Sequence, residues 1–275
     1  MVVRRLLSWA RRYHTKMLNK TSKLCLLIAA ISMISWSLWP YSVHADITSN
    51  LVSWYKFDEA NTGNCTTTTA DSGSANNTAT CINSPAYGPG HIGVGLLTLN
   101  PASGNYLTTS DASDYNFTST NFTISAWIKT TNPADTIFTT IAPASYIGWE
   151  FAISQGSSSI NPGLLSFYNG SSWQSATGRV DDGAWHMVSM TYDGTNVVFY
   201  TDGAVTQTVA MTAPLYGSTP LWLGRRNDGG FPQNFGGNID DVRIYTRKLS
   251  STDITQLYAY TGATHKNNML MAENY

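Results

Sequence analysis

Carboxylates come first, because paired acids hydrolyse glycosidic bonds. That chemistry needs two carboxyl groups across a cleft, one of them with a raised pKa. The chain has only three glutamates, Glu59, Glu150 and Glu273, and each stands alone. The neighbouring aspartates Asp181-Asp182 and Asp240-Asp241 would point to opposite faces of a strand. Asp181-Asp182 fits better in the turn before Trp185. A serine triad would need a Gly-x-Ser-x-Gly elbow, which is missing, as is a glycine-rich phosphate loop ahead of a helix. His186 reads as a strand histidine with a satisfied hydrogen bond, and His91 and His265 as loop and tail residues. The chain is therefore expected not to be an enzyme.

Binding chemistry is better supplied. Tyr146, Trp149, Tyr168, Trp173 and Phe231 lie in or beside expected loops. Flat rings stack on sugar faces, and Arg or Asn side chains hydrogen-bond to hydroxyls. The ligand site is expected at Trp173, Arg225, Arg226, Asn227 and Phe231. Trp149 and Tyr168 have core positions as their alternative. The expected partner is a carbohydrate or, alternatively, an extracellular protein that makes this a structural or adhesion module.

These residues need a frame. Residues 1–23 carry seven of the basic residues and no acid, residues 24–38 are mostly apolar, and Val43-His44-Ala45 resembles a small-residue cleavage site. That layout is a secretory signal peptide over residues 1–45, with an uncleaved anchor as the alternative. The mature chain would be secreted or held at the cell surface without membrane insertion. It keeps nine basic residues against seventeen acidic ones, a net charge of −8. Such a surface argues against nucleic acid as a partner. Cys65 and Cys81 remain, and two cysteines in an exported chain read as one disulfide, with two free thiols as the alternative.

Strand-like alternation recurs at residues 51–57, 95–100, 105–109, 121–130, 137–141, 148–154, 164–168, 172–177, 185–192, 196–201, 204–211, 221–224 and 236–246. Asp193-Gly194 marks a hairpin turn. Residues 61–83 are polar and read as a long surface loop. In the last strand, Ile239, Asp241, Arg243 and Tyr245 are expected on one face, and Asp240, Val242 and Ile244 on the other. Ser250, three residues before Asp253, starts one short helix carrying Ile254, Leu257 and Tyr258. The fold class is all-β, a two-sheet antiparallel sandwich over residues 46–260, with residues 261–275 as a flexible tail.

Four segments in order carry a family resemblance: "LVSWYKFDE" at 51–59, "NFTISAWIKT" at 121–130, "DDGAWHMVSMTYDGTNVVFYTDGAV" at 181–205 and "GGNIDDVRIYTRKLSSTDITQLY" at 236–258. Together they resemble LamG-like (laminin G-like, concanavalin A-like) jelly-roll domains. The resemblance implies a jelly roll, a lectin-like role and a Ca²⁺ ion at the sandwich edge. The carboxylates it would bring together are Asp58, Asp71 in the Asp-Ser-Gly loop, and Asp240. Without an ion, Asp71 would cap a turn and Asp240 would pair with Arg243 or Arg247.

Overall fold

The computed structural model describes residues 46–110, 113–118, 121–142, 145–155, 160–226 and 233–262. The signal-peptide reading of residues 1–45 and most of the expected tail lie outside the described residues.

Two antiparallel sheets of eight strands face each other. The first sheet runs, edge to edge, β14 (Ala204–Ala210), β13 (Asn196–Thr201), β12 (His186–Tyr192), β7 (Phe122–Thr130), β16 (Gly237–Tyr245), β5 (Gly95–Leu99) and β4 (Ala86–Pro89). The opening strand β1 (Leu51–Tyr55) also pairs with β16. The second sheet runs β11 (Trp173–Arg179), β10 (Leu164–Tyr168), β9 (Glu150–Ile153), β8 (Asp135–Thr139), β15 (Trp222–Leu223), β6 (Tyr106–Thr108), β3 (Ala79–Ile82) and β2 (Thr68–Thr69). This is the expected two-sheet jelly-roll sandwich.

Alternation explains which side chains meet between the sheets. Phe122, Ile124, Ala126 and Ile128 of β7 join Phe151, Leu165, Phe167 and Leu223 of the second sheet in the main core. The outer face of the first sheet has a core of its own. Trp54, Trp127, Met187, Tyr200 and Tyr245 pack there against Leu249, Ile254 and Leu257. The last two belong to α1 (Ser251–Tyr258), which therefore covers that face. Its start is the expected capping box: Ser250 Oγ accepts from the Asp253 amide at 3.1 Å, and Asp253 Oδ2 accepts from the Ser250 amide at 2.9 Å.

Two readings of the sequence need correction. Residues 61–83 are no plain surface loop, because β2 and β3 lie inside them and Cys65, Ala79 and Cys81 are buried in the main core. Cys65 and Cys81 are joined by a disulfide, which lets so polar a segment reach the core. In β16 a bulge interrupts the alternation between Asp240 and Arg243, with Asp241 at φ 47°. The extra residue turns Val242 and Ile244 to the same side as Ile239, so all three enter the main core.

Candidate functional site

The second sheet differs from the first in what lies over its outer face. Side chains that alternate away from the main core there include Tyr106, Trp222, Thr139, Glu150, Tyr168 and Trp173. Cross-strand register places all but Tyr106 in one row, and Tyr106 lies two residues along β6 from its end. Trp173 pairs with Tyr168, Tyr168 with Glu150, Glu150 with Thr139, Thr139 with Trp222, and Trp222 with Thr108. Trp173 and Trp222 are four strand spacings apart, roughly 19 Å.

Both ends of the row are aromatic pairs. Tyr168 and Trp173 lie with ring centroids 5.1 Å apart, and Tyr106 stacks on Trp222 at 5.0 Å and 20°. All four rings are half-buried, so each keeps some surface for a ligand. Between them sits Glu150, fully buried. Its Oε1 accepts from Thr136 Oγ1 at 2.6 Å, and Arg226 Nη1 lies 3.4 Å from Oε2. A buried carboxylate needs such partners, since an uncompensated charge there is costly.

The two arginines reach this face from a neck that holds their backbones. Arg225 bridges to Asn234, and the Arg226 amide donates to the Gln233 carbonyl at 3.1 Å. The Arg225 guanidinium lies over the Tyr106 ring at 4.9 Å, and that of Arg226 over Tyr146 at 5.7 Å. Arg179, farther along the sheet, instead pairs with Asp181.

Of the expected ligand residues, Trp173, Arg225 and Arg226 therefore share one face. Asn227 and Phe231 lie outside the described residues. Trp149 takes its core alternative, buried with Nε1 donating to the Tyr115 carbonyl at 3.0 Å. The strands holding Tyr106 and Trp222 were expected at 105–109 and 221–224, but nothing in the sequence shows that these two rings stack across them. Glu150 was seen only as an isolated acid; nothing in its spacing marks the cross-strand row.

The carboxylates expected to hold Ca²⁺ are each engaged by backbone amides. Asp71 accepts from the amides of Trp54 and Gly73 (both 2.7 Å) and Asn77 (2.9 Å), clamping the Asp-Ser-Gly loop onto β1. Gly73 is required there, since a Cβ would come within 2.2 Å of the Val52 carbonyl oxygen. Asp58 Oδ1 accepts from the Val94 and Gly95 amides, at 2.5 and 2.9 Å. Asp240 Oδ2 accepts from the His91 and Ile92 amides, both at 2.8 Å. Among the described residues no three His, Cys, Asp or Glu side chains stand together in a way that could hold a metal ion. Arg243 and Arg247 pair not with Asp240 but with Asp241 and Asp253.

A pocket of about 130 Å³ opens on the first sheet, lined by Trp54, Lys56, Asp58, Ile92, Asp241 and Tyr260 among others. Its charges answer one another. Arg243 pairs with Asp241 and lies over Trp54 and Tyr260, and Lys56 lies 3.9 Å from the centre of the Trp54 ring. The row on the second sheet is the better candidate.

Known proteins share this architecture. Domain 4 of AbnA, a GH43 extracellular arabinanase from Geobacillus stearothermophilus solved in complex with arabinotriose, is 21% identical, with a TM-score of 0.58 over 76% of this chain and 98% of that one. The binding domain of botulinum neurotoxin DC, in complex with SialylT, is 18% identical, with a TM-score of 0.59 over 80% of this chain and 53% of that one. The same toxin domain in complex with rat synaptotagmin II gives 18% and 0.58. This chain spans about half the length of those toxin chains. No curated protein matches it. A family model, Laminin_G_3, matches residues 101–255, more than half of the sequence, and the chain belongs to that family of the concanavalin A-like lectin/glucanases superfamily.

Proposed function

We propose that this protein is an exported, non-catalytic module that binds an extended glycan across the outer face of the second sheet. One observation carries the reading: two half-buried aromatic pairs, Tyr168–Trp173 and Tyr106–Trp222, close the ends of a single cross-strand row. Rings so placed stack on sugar faces several residues apart along one chain. The arabinotriose and SialylT complexes of its structural neighbours support a sugar ligand for this fold. The disulfide and the lectin-like fold support export. Among the described residues no helix is long and apolar enough to cross a membrane.

Among the described residues, the row supports binding without hydrolysis. Glu150 is tied to Arg226 and Thr136, and its neighbours at that level are Thr139, Tyr168, Trp173 and Trp222, none an acid. Glycoside hydrolysis needs a second carboxyl roughly 5–9.5 Å away.

A protein partner is the second reading, favoured by an apolar rim. Tyr146, Ile147 and Leu215 are 47%, 41% and 43% exposed, on two loops that both approach Gly170 or Gly217. Screening the secreted protein on a glycan array, with Trp173→Ala and Trp222→Ala beside it, separates the two. Glycan binding weakened at least about tenfold by each substitution supports the site. Unchanged binding in both would move it elsewhere. No glycan bound, with a protein captured through Tyr146 and Leu215, would replace it with the second reading.

A further inference from the structure

Among the described residues, the charge of Arg225 on the proposed glycan face is not balanced by a carboxylate. Arg226 is answered by Glu150. Arg225 has no carboxylate partner among the described residues; its guanidinium rests on Tyr106, which rests on Trp222. The Arg225 Nε is buried and makes no hydrogen bond. On the facing strand of the same neck, Gln233 Oε1 and Asn234 Oδ1 are also buried without a hydrogen bond. Native proteins leave few buried polar atoms unpaired, and each calls for a reason. Here one orphaned donor on a cation and two orphaned acceptors gather where the backbone is pinned by the Arg225–Asn234 bridge and by Asn234 Nδ2 donating to the Pro101 carbonyl at 3.3 Å.

We infer that this end of the face recognises a carboxylate-bearing sugar, of the uronic or sialic acid type. The inference rests on the glycan reading above and narrows its ligand. A planar carboxylate matches the two-pronged guanidinium fork, whose other side Tyr106 holds flat. These atoms are covered in the free protein, so a small rotation of the Gln233 and Asn234 side chains toward the face would let hydroxyl groups of the same sugar donate to their oxygens. A neutral sugar would supply hydroxyls but leave the arginine's charge unanswered. Trp222 and Tyr106 then serve as the platform and Arg225 as the selector.

The test is titration calorimetry of the secreted protein against matched pairs: a galacturonate oligomer with its neutral methyl ester, and sialyllactose with lactose. Tighter binding of an acid than of its neutral partner, by at least about tenfold, is expected from one charge-assisted hydrogen bond. The pair that shows the gap identifies the acid type. Arg225→Gln should equalise that pair by weakening the acid more than the neutral sugar, and Arg225→Lys should restore only part of the gap. Equal binding of acid and ester in the wild type overturns the inference and leaves the glycan site standing. Tighter binding of a sulfated oligosaccharide than of either carboxylated one also overturns it. Absence of binding by every sugar, on the array and in these titrations, overturns the glycan site itself and the inference with it.

Discussion

At Glu150 a carboxylate sits at full burial on the face argued to bind a ligand, and this changes what a nearby substitution does. Read from sequence, Arg226 is an exposed loop residue whose removal costs only affinity. In the structure it is the counter-ion of Glu150. Arg226→Ala should therefore destabilise the protein by on the order of 3 kcal/mol, because it takes a counter-ion from a buried charge. Thermal unfolding should show a loss of several degrees, and Glu150→Gln in the same chain should recover part of it. Equal melting temperatures for Arg226→Ala and wild type would break this account. Asp58, Asp71 and Asp240 give the opposite lesson. Acid residue types and the family pattern suggested an ion, yet backbone amides claim these carboxylates, and sequence does not show where amides point. After chelator treatment, 10 mM CaCl₂ should leave the melting temperature within about 1 °C; a clear rise would restore the calcium reading.

Among the elements, long strands were the legible ones. β7, β12 and β13 alternate over six to nine residues, and their hairpin turn at Asp193-Gly194 announces itself. The two-residue strand β2 carries too little pattern to be read, and although β6 and β15 were expected, their pairing, which joins half of the aromatic row, is not written in either segment. The helix was legible because its cap is local, whereas the β16 bulge was not, because nothing in Asp240-Asp241 distinguishes a bulge from plain strand. Cys65 and Cys81 fix the segment least able to hold itself. Their bridge closes a 16-residue separation, worth roughly 3 kcal/mol in the chain-entropy view. Cys65→Ser with Cys81→Ser should lower stability by about that amount in denaturant titration. A double variant as stable as the wild type would assign the segment's order to β2 and β3 alone.

For the molecule as a whole, proton binding sets a pH preference. Burial works against the proton of His186, but Asp202 at 2.8 Å and Asp182 at 3.1 Å outweigh it and raise the pKa above its ordinary value. That stabilisation is complete below the unfolded pKa of about 6.5 and is lost as pH rises through the higher folded value. Burial raises Asp135 and Asp240 to about 7, although backbone amides pull both down. Between the unfolded value near 4 and the folded value near 7, the unfolded state has lost the proton that the folded state still holds, so each group costs more stability as pH rises to about 7. All three groups hold protons more tightly folded than unfolded, so stability should fall from about pH 5 to pH 8. In acid the trend reverses, since Lys248 holds the Asp193 carboxyl below the usual range and its stabilisation fades as that group protonates. Melting curves across pH 3–9 should thus peak at mildly acidic pH, and His186→Gln should flatten the limb between pH 6 and 8. A maximum at pH 8 would contradict the assignment.

The pairing of β1 with β16 has an engineering consequence. The Arg247 side chain donates to the carbonyls of Asp46 and Ser49, and Tyr260 meets Trp54 with ring centroids 6.2 Å apart, so the domain's entry and exit lie together. A chain whose ends are neighbours can be reopened elsewhere. A short Gly-Ser splice from residue 260 back to residue 46, with new termini between the exposed Gly194 and Thr195, should give a circular permutant with both sheets intact. For the same reason the domain could be spliced into a surface loop of a host protein as a single cassette.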